Sequence, residues 1–276
     1  MKKLLMAMLL AFVLGAFIAC GGADTDGIQA GDDGVYRIVI GATPRPHMEI
    51  LEYIRPFLLE DGIELILQEF TDFHILNPAV VSGDLHANYF QHAPFLNDSP
   101  QADQLQMIGL IHIEPMGAYS LTLESIVDLP EGATVAIPND ATNGGRALLL
   151  LQTHGLLTVD SAAGVRVAVS DITYNPLNLN FQQLDAALLP AMLSDPQVDM
   201  AIINTNHVLA ATQLNLNPVR DSLIIETVDT PFANGLAVPV AYADHHVFAT
   251  ILSHLQSEHV RAFIWREYDG AVVPVF

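Results

Sequence analysis

The chain has 276 residues, 51% of them hydrophobic, enough for one large domain or two smaller ones around a substantial core. It carries 31 acidic side chains against 10 basic ones, a formal net charge of −21 at neutral pH. Such a field repels nucleic acid and anionic lipid headgroups, which excludes a nucleic-acid role.

In chain order, Lys2 and Lys3 precede an apolar run from Leu4 to Ala19. That run is shorter than the ~20 residues of a bilayer-spanning helix and has the layout of a secretory signal peptide, 1–19. It ends in Phe17-Ile18-Ala19-Cys20, which resembles a bacterial lipobox. The resemblance makes Cys20 the site of lipid attachment, so that an exported protein is anchored to the cell membrane. Cys20 is the only cysteine, so no intrachain disulfide is available. Residues 20–35 are rich in Gly and Asp and read as a lipidated flexible tether.

The run Tyr36–Ile40 reads as a short strand ending at Gly41. In the following stretch Met48, Leu51, Ile54, Phe57 and Leu58 recur at helical spacing. Thr43 and the prolines suit the start of that helix and Gly62 its stop. "IELILQEF" reads as the next strand. Such a unit implies a parallel sheet with a right-handed crossover. The pattern returns as a strand at 133–138, a helix at 142–153, an amphipathic helix over "FQQLDAALLPAMLSD", a buried strand "VDMAIIN" and a helix "TNHVLAATQL". The tail reads as two helices divided near Ser257. Alternation of this kind argues for an α/β protein, and no period of 20–50 residues argues for a solenoid.

Ligands of open α/β sheets sit outside the carboxyl ends of strands. Here those ends carry "GATPRPH", "PNDATNGGR" and "NTN", polar runs with small residues that admit a ligand to the backbone. Arg146 opens an apolar helix, where a bidentate guanidinium, free amides and the helix dipole suit one carboxylate. By pattern alone it is equally a surface arginine. There is no G-x-S-x-G, H-E-x-x-H or phosphate-loop motif, so no enzyme is indicated. The eleven histidines are dispersed, and the pair His245-His246 opens an amphipathic helix, so neither metal ligands nor a cofactor is indicated.

The stretches "GATPRPHMEILEYI", "HANYFQHAPFLND", "HIEPMGAYS", "LPEGATVAIPNDATNGGRALLLLQTHGLL" and "YDGAVVPVF" resemble the NlpA family of lipoproteins, in order and over the whole mature chain. The resemblance implies a two-lobed, hinged periplasmic-binding-protein-like fold, each lobe a mostly parallel sheet flanked by helices. Lobe one would comprise 36–115 plus 233–276, and lobe two 116–232. It also implies L-methionine or a close derivative as ligand, and an ABC permease and ATPase as partners. Another small amino acid, a dipeptide or a metal ion is the alternative ligand.

The family's carboxylate-binding arginine aligns with Arg146, and its ligand-binding asparagines with Asn204 and Asn234. Asn143 is a further candidate, with Asn139 and Asn206 behind it. Tyr89, Phe90 and His92 would form the wall around a thioether, since sulfur packs favourably on aromatic rings. Met116 and Tyr119 read either as bordering the cleft or as hinge packing, and His47 reads as a helix-start residue. Arg45 stands where the family often has a small residue, and His207 where tyrosine is frequent.

Overall fold

A computed structural model of the protein describes residues 27–276, so the leader, Cys20 and the first part of the tether lie outside the described residues. The end of the expected tether already carries structure. Ala30 bridges to Tyr36, and Asp33 accepts hydrogen bonds from the Val35 amide and the Arg37 side chain.

Lobe one begins with β1 (Tyr36–Ala42), α1 (Glu49–Glu60), β2 (Ile63–Glu69), α2 (Phe73–Ser82), β3 (Ala87–His92), α3 (Ala93–Asp98) and β4 (Leu105–Ile113). The chain then supplies β5 (Gly117–Tyr119), β6 (Thr134–Pro138), α4 (Ala141–Thr153), β7 (Thr158–Val159), β8 (Ile172–Tyr174), β9 (Asn180–Leu184), α5 (Leu189–Met192), β10 (Met200–Ile203), α6 (Thr205–Ala210) and β11 (Ile224–Ile225). It returns through β12 (Asn234–Pro239), α7 (His246–Leu255), α8 (Glu258–Tyr268) and β13 (Val273–Pro274).

Two main sheets result. The first has the order β13-β4-β12-β3-β1-β2 and the second β11-β5-β10-β6-β9, with β7 and β8 as a separate pair. The chain therefore passes between sheets in the segments 114–116 and 226–233. Both sheets are more mixed than the expected mostly parallel arrangement. β1 pairs in parallel with β2 and β3, and β6 with β9 and β10. β12, β4, β13, β5 and β11 all pair antiparallel, because strands entering or leaving the crossings run against their neighbours.

The helices expected from periodicity form where the apolar stripe meets a sheet. α1 buries Ile50, Leu51, Ile54 and Leu58, and α7 buries Val247, Phe248, Ile251 and Leu255, in one cluster with β1 and β3. Each such side chain taken from water contributes about 1.5–3 kcal/mol. Ser257 divides α7 from α8 as expected, its hydroxyl accepting from the Val260 amide. The stretch 181–195 departs from expectation. Its first residues form the edge strand β9, in parallel register with β6 from Thr134↔Asn180 to Pro138↔Leu184. Asp185 then stops the strand by accepting from the Ala187 amide, and only Leu189–Met192 is α-helical. Sheet pairing overrides helical spacing there.

Lobe two has its own core around β6 and α4. A third cluster joins Phe73, Leu76 and Phe90 of lobe one to Tyr119, Leu189, Ile203 and Val208 of lobe two. Gly145 allows α4 to lie against the loop before β8: a Cβ there would stand 2.3 Å from the Val165 carbonyl oxygen. Gly145→Ala should therefore cost about 1–3 kcal/mol of stability through overpacking. Urea denaturation checks this, and an unchanged midpoint would mean that residues 165–167 yield freely.

Candidate functional site

The site forms where strand ends of both sheets converge. β3 delivers Phe90, Gln91 and His92, β4 runs into Glu114, the β6–α4 junction carries Asn143 and Arg146, and β10 runs into Asn204, Thr205 and Asn206. β12 contributes from its beginning rather than its end. It runs antiparallel to β3, so Asn234 pairs with His92. Together with Phe73 and Phe95 these residues line a small cavity between the lobes.

Arg146 is 2% exposed and faces this cavity rather than solvent. It is not a free fork. Its Nε donates to Glu226 Oε1 and Oε2 at 2.9 and 3.0 Å, and its Nη2 to Glu226 Oε2 at 2.6 Å and the Glu114 carbonyl at 2.7 Å. The Phe232 ring covers the guanidinium, with Cζ 4.4 Å from its centroid. Nη1 is left without a hydrogen bond to any described residue.

The helix start is organised by Asp140. Its carboxylate accepts from the Asn143 amide at 2.9 Å and from Asn143 Nδ2 at 3.0 and 3.1 Å. Asn143 Oδ1 must then act as acceptor, and it meets Asn204 Nδ2 at 2.8 Å and His92 Nε2 at 3.2 Å. His92 Nδ1 accepts from the Phe95 amide, so its proton sits on Nε2. Burial, aided by Arg146, pushes His92 down to about 3, leaving it a neutral donor. Asn204 Oδ1 is buried and has no partner among the described residues. A buried polar atom in that state costs free energy until something donates to it.

The expected site residues Arg146, Asn143, Asn204, Asn234, His92 and Phe90 thus share one cavity, joined by Asn206. Tyr89 does not. Alternation along β3 turns it away from Phe90 and His92 into the core of lobe one, where its hydroxyl meets His112 Nδ1 at 2.5 Å. Asn139 is exposed at the helix start, outside the cavity lining. Met116 and Tyr119 are fully buried packing. Arg45 pairs with Glu49 at 2.8 Å and reaches the Leu209 carbonyl of α6 at 3.5 Å, a contact across the lobes. His207 packs with its ring centroid 4.9 Å from that of Phe73, its Nε2 without a partner among the described residues.

Sequence reasoning missed Glu114 and Glu226. Glu114 is the one carboxylate lining the cavity and is 5% exposed. Burial raises it above the usual carboxyl range, opposed by His47, Arg146 and the Asn206 amide. Its signal was an acid alone among apolar residues in "HIEPMG". His47, His112 and Glu114 are the group with metal-ligand chemistry among the described residues, their ligand atoms within 4.8 Å of one another. Those atoms are already joined to each other. Glu114 Oε1 lies 2.7 Å from His112 Nε2 and 3.2 Å from His47 Nε2.

The NlpA lipoprotein family profile matches residues 38–276. The chain belongs to the NlpA lipoprotein family. It is 36% identical over 280 residues to the methionine-binding lipoprotein MetQ of Bacillus subtilis, covering 100% of this chain and 99% of that one. It is 33% identical over 214 residues to the D-methionine-binding lipoprotein MetQ of Escherichia coli, covering 77% and 78%. Among solved structures, a nutrient binding protein from Burkholderia cenocepacia bound to methionine superposes with a TM-score of 0.81 at 40% identity, over 87% of this chain and 100% of that one. As an NlpA lipoprotein the chain has the two-lobed α/β fold of its relatives, and no described helix is long and apolar enough to cross a membrane.

With side chains 3% and 8% exposed, Arg146 and Glu226 form a buried ion pair. Glu226→Ala leaves the guanidinium charge without its partner and should cost about 3–5 kcal/mol. Chemical denaturation of the ligand-free protein checks this. An unchanged midpoint would show that the pair does not hold this NlpA cleft together.

Proposed function

We propose that this NlpA lipoprotein is a receptor that captures L-methionine, or a close methionine derivative, between its lobes and delivers it to an ABC permease. The observation that carries the reading is the pairing of opposite charges across one small buried cavity. Arg146, with its Nη1 unpartnered among the described residues, and the Glu114 carboxylate both line it. A zwitterionic amino acid complements both: its carboxylate meets Arg146 and its ammonium meets Glu114, with the orphan Asn204 Oδ1 as a further acceptor. Phe73, Phe90 and Phe95 line the same cavity and suit a thioether tail.

The role is binding without turnover. Of the hydroxyls, Thr205 alone lines the cavity, and its proton is committed to the Pro115 carbonyl at 2.5 Å. No nucleophile–base pair of the kind catalysis needs lines this cavity. Lipid on Cys20 would hold the receptor at the membrane beside the permease. Ligand contacts drawn from both lobes would favour the conformation in which the lobes meet.

Isothermal titration with L-methionine tests the reading, with D-methionine and methionine sulfoxide titrated in parallel to set the preference. Arg146→Ala should weaken L-methionine by about 2–5 kcal/mol, the usual consequence of removing one member of a buried charge pair. If that variant binds as tightly as the parent, the carboxylate site is elsewhere.

A further inference from the structure

Behind the cavity lies a chain of buried hydrogen bonds that the receptor reading does not by itself use. Glu114 Oε1 faces two imidazoles, His112 Nε2 at 2.7 Å and His47 Nε2 at 3.2 Å. The far nitrogen of each ring is also held: His112 Nδ1 by the Tyr89 hydroxyl at 2.5 Å, and His47 Nδ1 by the Thr43 hydroxyl at 2.7 Å. Tyr89, Thr43 and His112 are fully buried, and His47 is 1% exposed.

The donor direction follows from Tyr89. Its hydroxyl has one hydrogen-bond partner among the described residues, His112 Nδ1, and a buried phenol proton without an acceptor is costly. His112 Nδ1 is therefore the acceptor and its Nε2 carries the proton. That proton points at Glu114 Oε1, which must accept it. Thr43 holds the far nitrogen of His47 in the same way, but the His47 Nε2 proton goes to Asn234 Oδ1 at 3.3 Å, with Glu114 Oε1 a close electrostatic neighbour at 3.2 Å. Burial lowers His47 to about 4 and His112 to about 3, so both rings are neutral donors at neutral pH.

Resting on the receptor reading above, we infer that His112 is a positioning residue, which holds Glu114 ionised and aimed into the cavity as the counter-charge for the ligand's ammonium. Burial alone would protonate this carboxyl. The His112 N–H donor, the neighbouring His47, the Asn206 amide and the field of Arg146 oppose that. The other ionisable groups that face this cluster are Tyr89 and Tyr268 from lobe one and His207 from α6. All three are neutral at neutral pH, because burial raises both phenols and lowers His207 to about 4. The sign is fixed: ammonium binding is strong where Glu114 is ionised and fades as pH falls through its carboxyl pKa. Removing a donor raises that pKa, so the loss sets in at higher pH.

The test compares L-methionine with 4-(methylthio)butanoate, the same molecule without its amine, in the parent protein and in His112→Phe, His112→Gln and Glu114→Gln. His112→Phe should weaken L-methionine about tenfold at neutral pH, the loss expected once the Glu114 carboxyl pKa is carried to about one unit above the working pH. The amine-free acid should be nearly unaffected, and methionine affinity should recover as pH is raised. His112→Gln keeps an N–H donor and should stay close to the parent. Equal weakening of both ligands, or of neither, overturns the inference. A parent protein that binds neither ligand overturns the receptor reading instead, and a second readout then decides the positioning role. The infrared band of protonated Glu114, assigned by subtracting the Glu114→Gln spectrum, should be absent in the unliganded parent and present in His112→Phe. Its presence in the parent overturns the role of His112.

Discussion

The buried pair of Arg146 and Glu226 is the constraint around which the cleft is organised. Glu226 lies on the second crossing segment and Arg146 on the first turns of α4, so their contact ties the return of the chain to the helix of lobe two. The first crossing is tied in as well. The Met116 amide donates to Glu226 Oε2 at 2.8 Å, and Arg146 Nη2 donates to the Glu114 carbonyl. One ion pair thereby gathers both connections between the lobes. Buried ion pairs contribute little net stability beyond what apolar packing would give. What this one supplies is a guanidinium that cannot rotate away, with one face of its donor set left for a ligand.

Opposite that cation, the polar side of the cavity has a fixed hydrogen-bond direction. Asp140 orients Asn143, Asn143 orients Asn204 and accepts from His92, and the relay ends in the unpartnered Asn204 Oδ1. A second relay runs from Tyr89 through His112 to Glu114. Each places an acceptor at the cavity with its other bonds already made. Preorganised acceptors of this kind lose little on binding, because no side chain has to be ordered at that moment. Contacts across the lobes accompany them: His92 with Asn143, Arg45 with the Leu209 carbonyl, and Asp98 with Arg166 at 2.9 Å. They bring together residues that belong to different sheets.

Much of the fold was legible in local pattern, and the failures have physical causes. α1, α4, α7 and α8 each carry an apolar stripe that local spacing reveals, and Ser257 marks its break through simple capping chemistry. β4 and β12 received no strand assignment, since both depend on pairing with segments more than a hundred residues apart. "FQQLDAALLPAMLSD" has helical spacing, yet its first residues find an open edge on β6 and extend along it. At the site, family likeness led to Arg146, Asn143, Asn204, Asn234, His92 and Phe90, while Tyr89 was misplaced by one step of strand alternation.

Local pattern was sufficient to indicate an α/β fold, because periodicity and capping act over a few residues, whereas the receptor reading and the choice of Arg146 came from the family resemblance of the motifs. Tertiary structure alone revealed that Arg146 is held by Glu226, that Glu114 is the carboxylate lining the cavity, and that two histidines stand beside it. Those facts depend on contacts between residues distant in the chain, such as Arg146 with Glu226 and His47 with Glu114. No local rule of sequence encodes them; burial and the removal of water decide which such partners meet.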